Sequence, residues 1–211
     1  PVADRLRPVR AWRQTLRSIH PMPQEKTEEE FGRAIQMCRS LFEKKLHDYG
    51  AAWRIMRLPS VTDQLFIKAR RIRSIEEKGE ALVDEGIVPE FMAIINYGIV
   101  GLIQLSLGVV EKEDLTADDA LRQYDLMAAE ALRLMARKNH DYDEAWRGMR
   151  VSSYTDLILM KLYRTKQIED LGGHTLVSEG VAGNYFDMIN YSVFALIKLV
   201  IENEEGAGAE N

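Results

Sequence analysis

The strongest constraint on this chain is that most of it is written twice. Residues 45–77 read KLHDYGAAWRIMRLPSVTDQLFIKARRIRSIEE, residues 138–170 read KNHDYDEAWRGMRVSSYTDLILMKLYRTKQIED, and 16 of these 33 positions are identical at an offset of 93. One inserted residue moves the offset to 94, so that LVDEG at Leu82 answers LVSEG at Leu176. The register then holds through I-N-Y-x-x-x-x-L-I-x-L, from Ile95 and from Ile189. Similarity at a fixed period marks one structural unit used twice. Each unit of roughly 90 residues would have a thin core alone, so the copies are expected to dock into one body.

Each copy predicts three helices. Phe31, Ile35, Cys38, Leu41 and Phe42 recur at steps of three and four, which is helical period, and predict a first helix over about Thr27–His47, with Ala117–His140 as its counterpart. The HDY…AWR…MR segment is a compact connection. Ser60, Thr62 and Asp63, and likewise Ser153, Thr155 and Asp156, resemble the hydroxyl and acidic residues that cap a helix start, here of the second helix. Gly79 and Gly172 mark that helix's end. The third helix is expected from near Pro89 and near Gly183 to the two Leu-Ile-x-Leu runs. No segment alternates at period two. The fold class expected is all-α: two tandem three-helix repeats docked as one pseudo-two-fold helical bundle.

The organisation read from the sequence is a basic arm (1–26), repeat one (27–110), an acidic linker (111–116), repeat two (117–202) and an acidic tail (203–211) taken as a solvated end. The arm sets Arg5, Arg7, Arg10, Arg13 and Arg17, with Trp12 among them, against Asp4. It reads either as a contact for an anionic surface or as a loose extension. It has no apolar secretory core, so export is not expected. The single cysteine, Cys38, rules out an internal disulfide and fits a reducing, cytoplasmic setting. The 28 basic and 33 acidic residues leave a net charge of −5, which argues against a broad nucleic-acid coat. Phe91–Val110 is long and apolar enough for a membrane span. It carries Asn96, Gln104 and Ser106, and its counterpart carries Asp187 and Lys198, so both are expected as buried helices with no span.

Comparing the copies with each other isolates the chemistry. Apolar positions exchange within a size class, as Leu65/Ile158, Phe66/Leu159 and Ile67/Met160 do, while the identical positions are mostly polar. That bias fits either a ligand site or a hydrogen-bonded scaffold for the helix turns. The ligand-binding candidates in copy one are Lys45, His47, Asp48, Tyr49, Trp53, Arg57, Lys68 and Arg71. Those in copy two are Lys138, His140, Tyr142, Trp146, Arg150, Lys161 and Arg164, with Asp141, Asp187 and Asn190 as catalytic candidates. Histidine beside a carboxylate serves as base or ligand, or simply packs at a turn. Tryptophan beside arginine forks suits stacking on a base and gripping phosphate, or equally a core edge. Lys68 and Arg71, three apart, share one helix face. Asp187, Asn190 and Tyr191 project from one side of an apolar helix, where a carboxylate needs a cation or metal partner. Copy one has Ala93 in place of Asp187 but keeps Asn96 and Tyr97, with Glu90 one turn earlier, so the two copies are not equivalent.

The combination K-x-x-D-Y-x-x-A-W-R-x-M-R, S-x-T-D, K-x-x-R and I-N-Y resembles a bacterial tandem-repeat family of unknown function, also called the nucleotide-modification-associated domain, first type. The resemblance runs from about Thr27 to Ile201. It implies a nucleotide-related role, and its lysine, aspartate–tyrosine and D-x-x-N-Y positions fall on Lys138, Asp141, Tyr142, Asp187, Asn190 and Tyr191. A more distant likeness is to the all-α, MazG-like nucleoside triphosphate pyrophosphohydrolases. Their magnesium-binding carboxylate pairs are not matched here: Glu28, Glu29 and Glu30 have no equivalent in copy two. The expectation is a polar site for a nucleotide or other small phosphorylated ligand, with Mg²⁺ as a candidate cofactor and phosphohydrolysis or nucleotide modification as candidate reactions. The alternative is a non-catalytic structural or adaptor protein whose repeated polar residues lock helix junctions while a helix face meets a protein partner.

Overall fold

The computed structural model describes residues 23–79, 86–172 and 180–209. Among these there is no strand, and the chain is all-α. Repeat one consists of α1 (Pro23–Tyr49), a 3₁₀ turn (Ala52–Ile55), α2 (Leu58–Lys78) and α3 (Val88–Leu107). Repeat two repeats that plan as α4 (Ala117–Tyr142), a 3₁₀ turn (Ala145–Gly148), α5 (Val151–Asp170) and α6 (Val181–Leu196). A wider π-helical turn, Ile197–Ile201, carries α6 into α7 (Glu202–Ala209). The Arg-rich start and the LVDEG and LVSEG segments, apart from Gly86 and Gly180, lie outside the described residues. Helix α1 begins at Pro23, so the last four positions assigned to the basic arm belong to the first helix.

The capping expectation for the second helices is corrected. Helices α2 and α5 start at Leu58 and Val151, with Arg57 and Arg150 at their N-caps and no side-chain cap bond. Thr62 and Thr155 lie inside the helices, fully buried, and serve the contact between copies. Thr62 donates to Glu169 at 2.7 Å, and Thr155 donates to Glu76 at 2.9 Å. The bonds are reciprocal: Thr155 and Glu169 are the repeat counterparts of Thr62 and Glu76. So are the ion pairs flanking them, Lys166 with Asp63 at 2.5 Å and Arg73 with Asp156 at 3.4 Å. An arrangement in which a patch meets its own copy produces this reciprocity. Helices pack like on like, α1 on α4, α2 on α5 and α3 on α6.

Helix α3 is long and apolar enough to cross a membrane, yet most of it is buried inside the protein. Its partner is α6. A Cβ on Gly98 would stand 2.8 Å from Ile189, and one on Gly101 would stand 2.7 Å from the ring of Tyr185. Glycine at these two positions lets the third helices approach closely. Tyr185 is itself fully buried, its hydroxyl 2.8 Å from Thr62 Oγ1. The third helices thus form the centre of one shared core.

The linker and tail are less solvated than their composition implies. Glu113 accepts a hydrogen bond from the Ala51 amide, and Asp114 pairs with Arg54 at 2.8 Å. Thr116 caps α4, its hydroxyl accepting from the Asp119 amide at 3.1 Å. Glu204 and Glu205 reach Arg33 on α1 at 3.0 and 2.9 Å.

Two outcomes test this core. Gly101→Ala forces a methyl into the Tyr185 ring and should lower unfolding free energy by about 1–3 kcal/mol, read by urea denaturation. Burial raises the pKa of Glu76 and of Glu169 above the ordinary glutamate value, against the lowering effect of the threonine hydroxyl bonds. A carboxyl raised on folding contributes most below its unfolded pKa, and that contribution is lost as pH rises through the folded value. The double variant Glu76→Gln/Glu169→Gln keeps an acceptor for each threonine but carries no charge. Its melting temperature relative to the native chain should therefore climb from pH 4 to pH 7; a gap that stays flat or closes would contradict the buried-carboxylate account.

Two related pockets built on the helix turns

Both 3₁₀ turns follow one construction. In repeat one Arg54 is buried and donates to Asp114, to Gln104 and, at 2.7 Å, to the Gly108 carbonyl. Gln104 in turn donates to the carbonyls of Arg54 at 2.8 Å and Met56 at 2.7 Å. In repeat two the counterpart of Gln104 is Lys198, which donates to the carbonyls of Arg147 at 2.6 Å and Met149 at 2.7 Å. Arg147 joins Glu30 at 2.6 Å, Glu144 at 2.7 Å and Glu202 at 2.9 Å, and also bonds Thr27. The arginines of the two AWR motifs are structural. Glu30, the buried member of the Glu28–Glu30 run, is consumed by this pairing.

Each turn forms one wall of a pocket whose other walls are the helices of the same repeat. The first pocket, about 480 Å³, is lined by Lys45, Tyr49, Trp53, Lys68, Glu90 and Asn96, with Ala93, Tyr97 and Val100 among the remainder. The second, about 250 Å³, is lined by Lys138, Tyr142, Trp146, Asp187, Asn190 and Phe194, together with Tyr191. Most positions correspond, Lys45 to Lys138, Tyr49 to Tyr142, Trp53 to Trp146, Ala93 to Asp187, Asn96 to Asn190, Tyr97 to Tyr191 and Val100 to Phe194, so the two are one site in two copies. It lies inside each repeat, not in a cleft between them.

The charges differ in detail. In repeat two Asp187 is buried and both its oxygens are taken, Oδ1 by Lys138 and Oδ2 by Lys161, each at 2.6 Å. In repeat one Glu90 replaces it from one turn earlier, held by Arg71 and, at 3.3 Å, by Lys68. Lys45 has no ion-pair or hydrogen-bond partner among the described residues. The first pocket is lined by two lysines against one glutamate, and the second by one lysine and one aspartate. Asn96 is fixed by donating to the Cys38 carbonyl at 3.1 Å and accepting from Tyr124 at 2.8 Å. Its counterpart Asn190 keeps a buried oxygen with no hydrogen-bond partner, because Phe31 stands where Tyr124 does. The indole N–H groups of Trp53 and Trp146 are likewise buried and unpaired.

The remaining sequence candidates fall elsewhere. The His47 and His140 side chains are 90% and 77% exposed, facing Asp48 at 3.7 Å and Asp141 at 3.2 Å, and none of the four lines either pocket. Asp141, a catalytic candidate, is thus a solvated residue away from Asp187 and Asn190. Arg57 and Arg150 are exposed N-cap residues, and Arg164 pairs with no described residue. Trp146 stacks on Phe194 with centroids 4.3 Å apart and planes 8° apart, and the Arg147 guanidinium lies 4.4 Å from the ring centre. Its aromatic face is already in use. Glu90, Asn96, Tyr97 and Tyr191 are pocket residues outside the original candidate set; the repeated N-Y pair on an apolar helix was the signal for three of them.

The donor chemistry does not fit Mg²⁺. Among the described residues no three His, Cys, Asp or Glu side chains come together, and the buried carboxylate of Asp187 is committed to two ammonium groups. Cys38 offers no nucleophile, since burial pushes its thiol up to about 12.

Fold and pockets together define an all-α tandem-repeat protein with an aromatic-walled cavity in each copy. The family model described as Nucleotide modification associated domain 1 matches it twice, over residues 45–105 and 138–199, together more than half of the chain. The chain belongs to that family, whose domain is one of unknown function. Comparison with curated proteins and with solved structures found no match.

Replacing Asp187 by Asn would leave Lys161, which is largely buried, without its counter-charge. Asp187→Asn should lower unfolding free energy by about 1–3 kcal/mol in urea denaturation, whereas Asp141→Asn should leave it unchanged.

Proposed function

We propose that this chain is a binding protein for a small phosphorylated ligand of the nucleotide class, taken up in a pocket of its repeat units. The observation that carries this reading is the composition of the pocket wall: in both copies a lysine from the first helix, tyrosines at the rim and a tryptophan from the turn, joined in repeat one by Lys68 of the second helix. Ammonium groups suit phosphate, and aromatic rings suit the flat face of a base. The family description supports the same class of ligand. Catalysis is not part of the reading, because the described residues supply neither a carboxylate set for Mg²⁺ nor an activated nucleophile.

A structural role accounts for another part of the repeated polar set. Arg54, Arg147, Thr62, Thr155, Glu76 and Glu169 are spent on internal pairing. It does not account for Lys45, Tyr49 and Trp53, which line a cavity. The two roles divide the motif between them.

A screen of nucleoside mono-, di- and triphosphates and inorganic phosphate by thermal shift, with and without Mg²⁺, tests the reading. A ligand at 100 times its dissociation constant stabilises the fold by about 2.7 kcal/mol, so at least one probe should raise the melting temperature, with no requirement for Mg²⁺. No shift with any probe would overturn the reading. Mg²⁺-dependent release of phosphate or pyrophosphate would replace binding with hydrolysis.

A further inference from the structure

The two pockets share a construction but are not equally open. Two substitutions contribute to the difference, and both act in the same direction. Ala93 stands in repeat one where Asp187 stands in repeat two, and Val100 stands where Phe194 stands. All four residues line their respective pockets. Each exchange removes side-chain volume from repeat one, and the cavities measure about 480 and 250 Å³ accordingly. Pockets that take small molecules run from about 300 to 1,000 Å³, so only the first has the size.

The same two exchanges decide which chemistry is free. Without Phe194's counterpart, Trp53 has no stacked neighbour: its nearest ring, Phe42, is tilted at 44° with centroids 6.1 Å apart. Trp53 is half-buried on the pocket wall, whereas Trp146 is 6% exposed and stacked. Without Asp187's counterpart, the carboxylate of repeat one is Glu90, which is shared by Arg71 and, at 3.3 Å, Lys68 and leaves Lys45 uncompensated. Lys138 and Lys161 close on Asp187 from two sides. Lys45, Lys68 and Ala93 line the equivalent space; Lys68 pairs with Glu90 at 3.3 Å, and Lys45 is unpaired among the described residues.

On the reading that the family pocket binds a phosphorylated ligand, we infer that repeat one alone takes it, with Lys45 and Lys68 at the phosphate and Trp53 at the base. Repeat two is the same site filled from within: the Asp187 carboxylate occupies the phosphate position and Phe194 the position of the base. One ligand binds per chain. Repeat two's contribution is structural, since its internal ion pairs and stacked rings hold α4, α5 and α6 together against repeat one.

Isothermal titration with the four deoxynucleoside 5′-monophosphates and with inorganic phosphate tests this on the full chain. The native protein should bind one equivalent. Lys45→Gln removes an exposed side chain with no partner and should leave the melting temperature unchanged while weakening binding about tenfold or more. Ala93→Asp rebuilds the internal carboxylate of repeat two and should weaken binding to a similar degree. Lys138→Gln should change affinity by less than about twofold, far below the tenfold loss of a charge-assisted phosphate contact. Two equivalents per chain, or a loss with Lys138→Gln and none with Lys45→Gln, would overturn the assignment to repeat one while leaving phosphate binding standing. Failure of every probe to bind the native chain would instead overturn the underlying reading, and the assignment with it.

Discussion

The structure depends on how the third helix of each copy is buried. Helix α3 is apolar around nearly its whole circumference, and α1 and α2 cover only part of it. The rest is covered by α6, and the approach is close because Gly98 and Gly101 carry no side chain toward Ile189 and Tyr185. This contact makes two thin units into one core. Tyr185 then reaches Thr62, Thr62 reaches Glu169, and the reciprocal bond from Thr155 to Glu76 completes the seam. Neither repeat is a domain in the energetic sense, since each supplies the wall that the other lacks.

Once that core is set, the helix turns become rigid. A 3₁₀ turn leaves carbonyl groups unsatisfied, and a third-helix side chain answers them in both copies. Gln104 and Lys198 do so with different chemistry at the same position. Arginines from the turns, Arg54 buried and Arg147 half-buried, tie them to the linker in one copy and to α1 and α7 in the other. The pockets are therefore walled on one side by a turn that cannot easily move, a condition for preorganised recognition.

Much of this was legible before any coordinates. The duplication, the three helices per copy, the all-α class and the polar bias of the identical positions all follow from residue spacing. The pairing of Lys138 with Asp187 was half visible, since a carboxylate on an apolar helix requires a partner. Its second partner was not, because Lys161 is close to Asp187 only through the packing of α5 on α6. The HDY histidines and aspartates illustrate the converse. Identity between copies marks them, but their position at a helix exit leaves them in solvent, where an adjacent His–Asp pair interacts mainly with itself. Thr62 and Thr155 look like caps by spacing, and they become seam residues because the helices begin one turn earlier than the hydroxyl pattern indicates.

What the sequence determined alone is the unit and its number: the helical periods and the repeat leave no other architecture for these residues. What only the tertiary structure decided is which of two near-identical motifs is open. Ala93 against Asp187 and Val100 against Phe194 read as ordinary substitutions on paired helices. Only when the first helix, the turn and the third helix are brought around a common space do they become the difference between a cavity of about 480 Å³ and one of about 250 Å³ closed by its own carboxylate. The reason is physical: volume and charge at a pocket are sums over residues far apart in the chain, and no local pattern records such a sum.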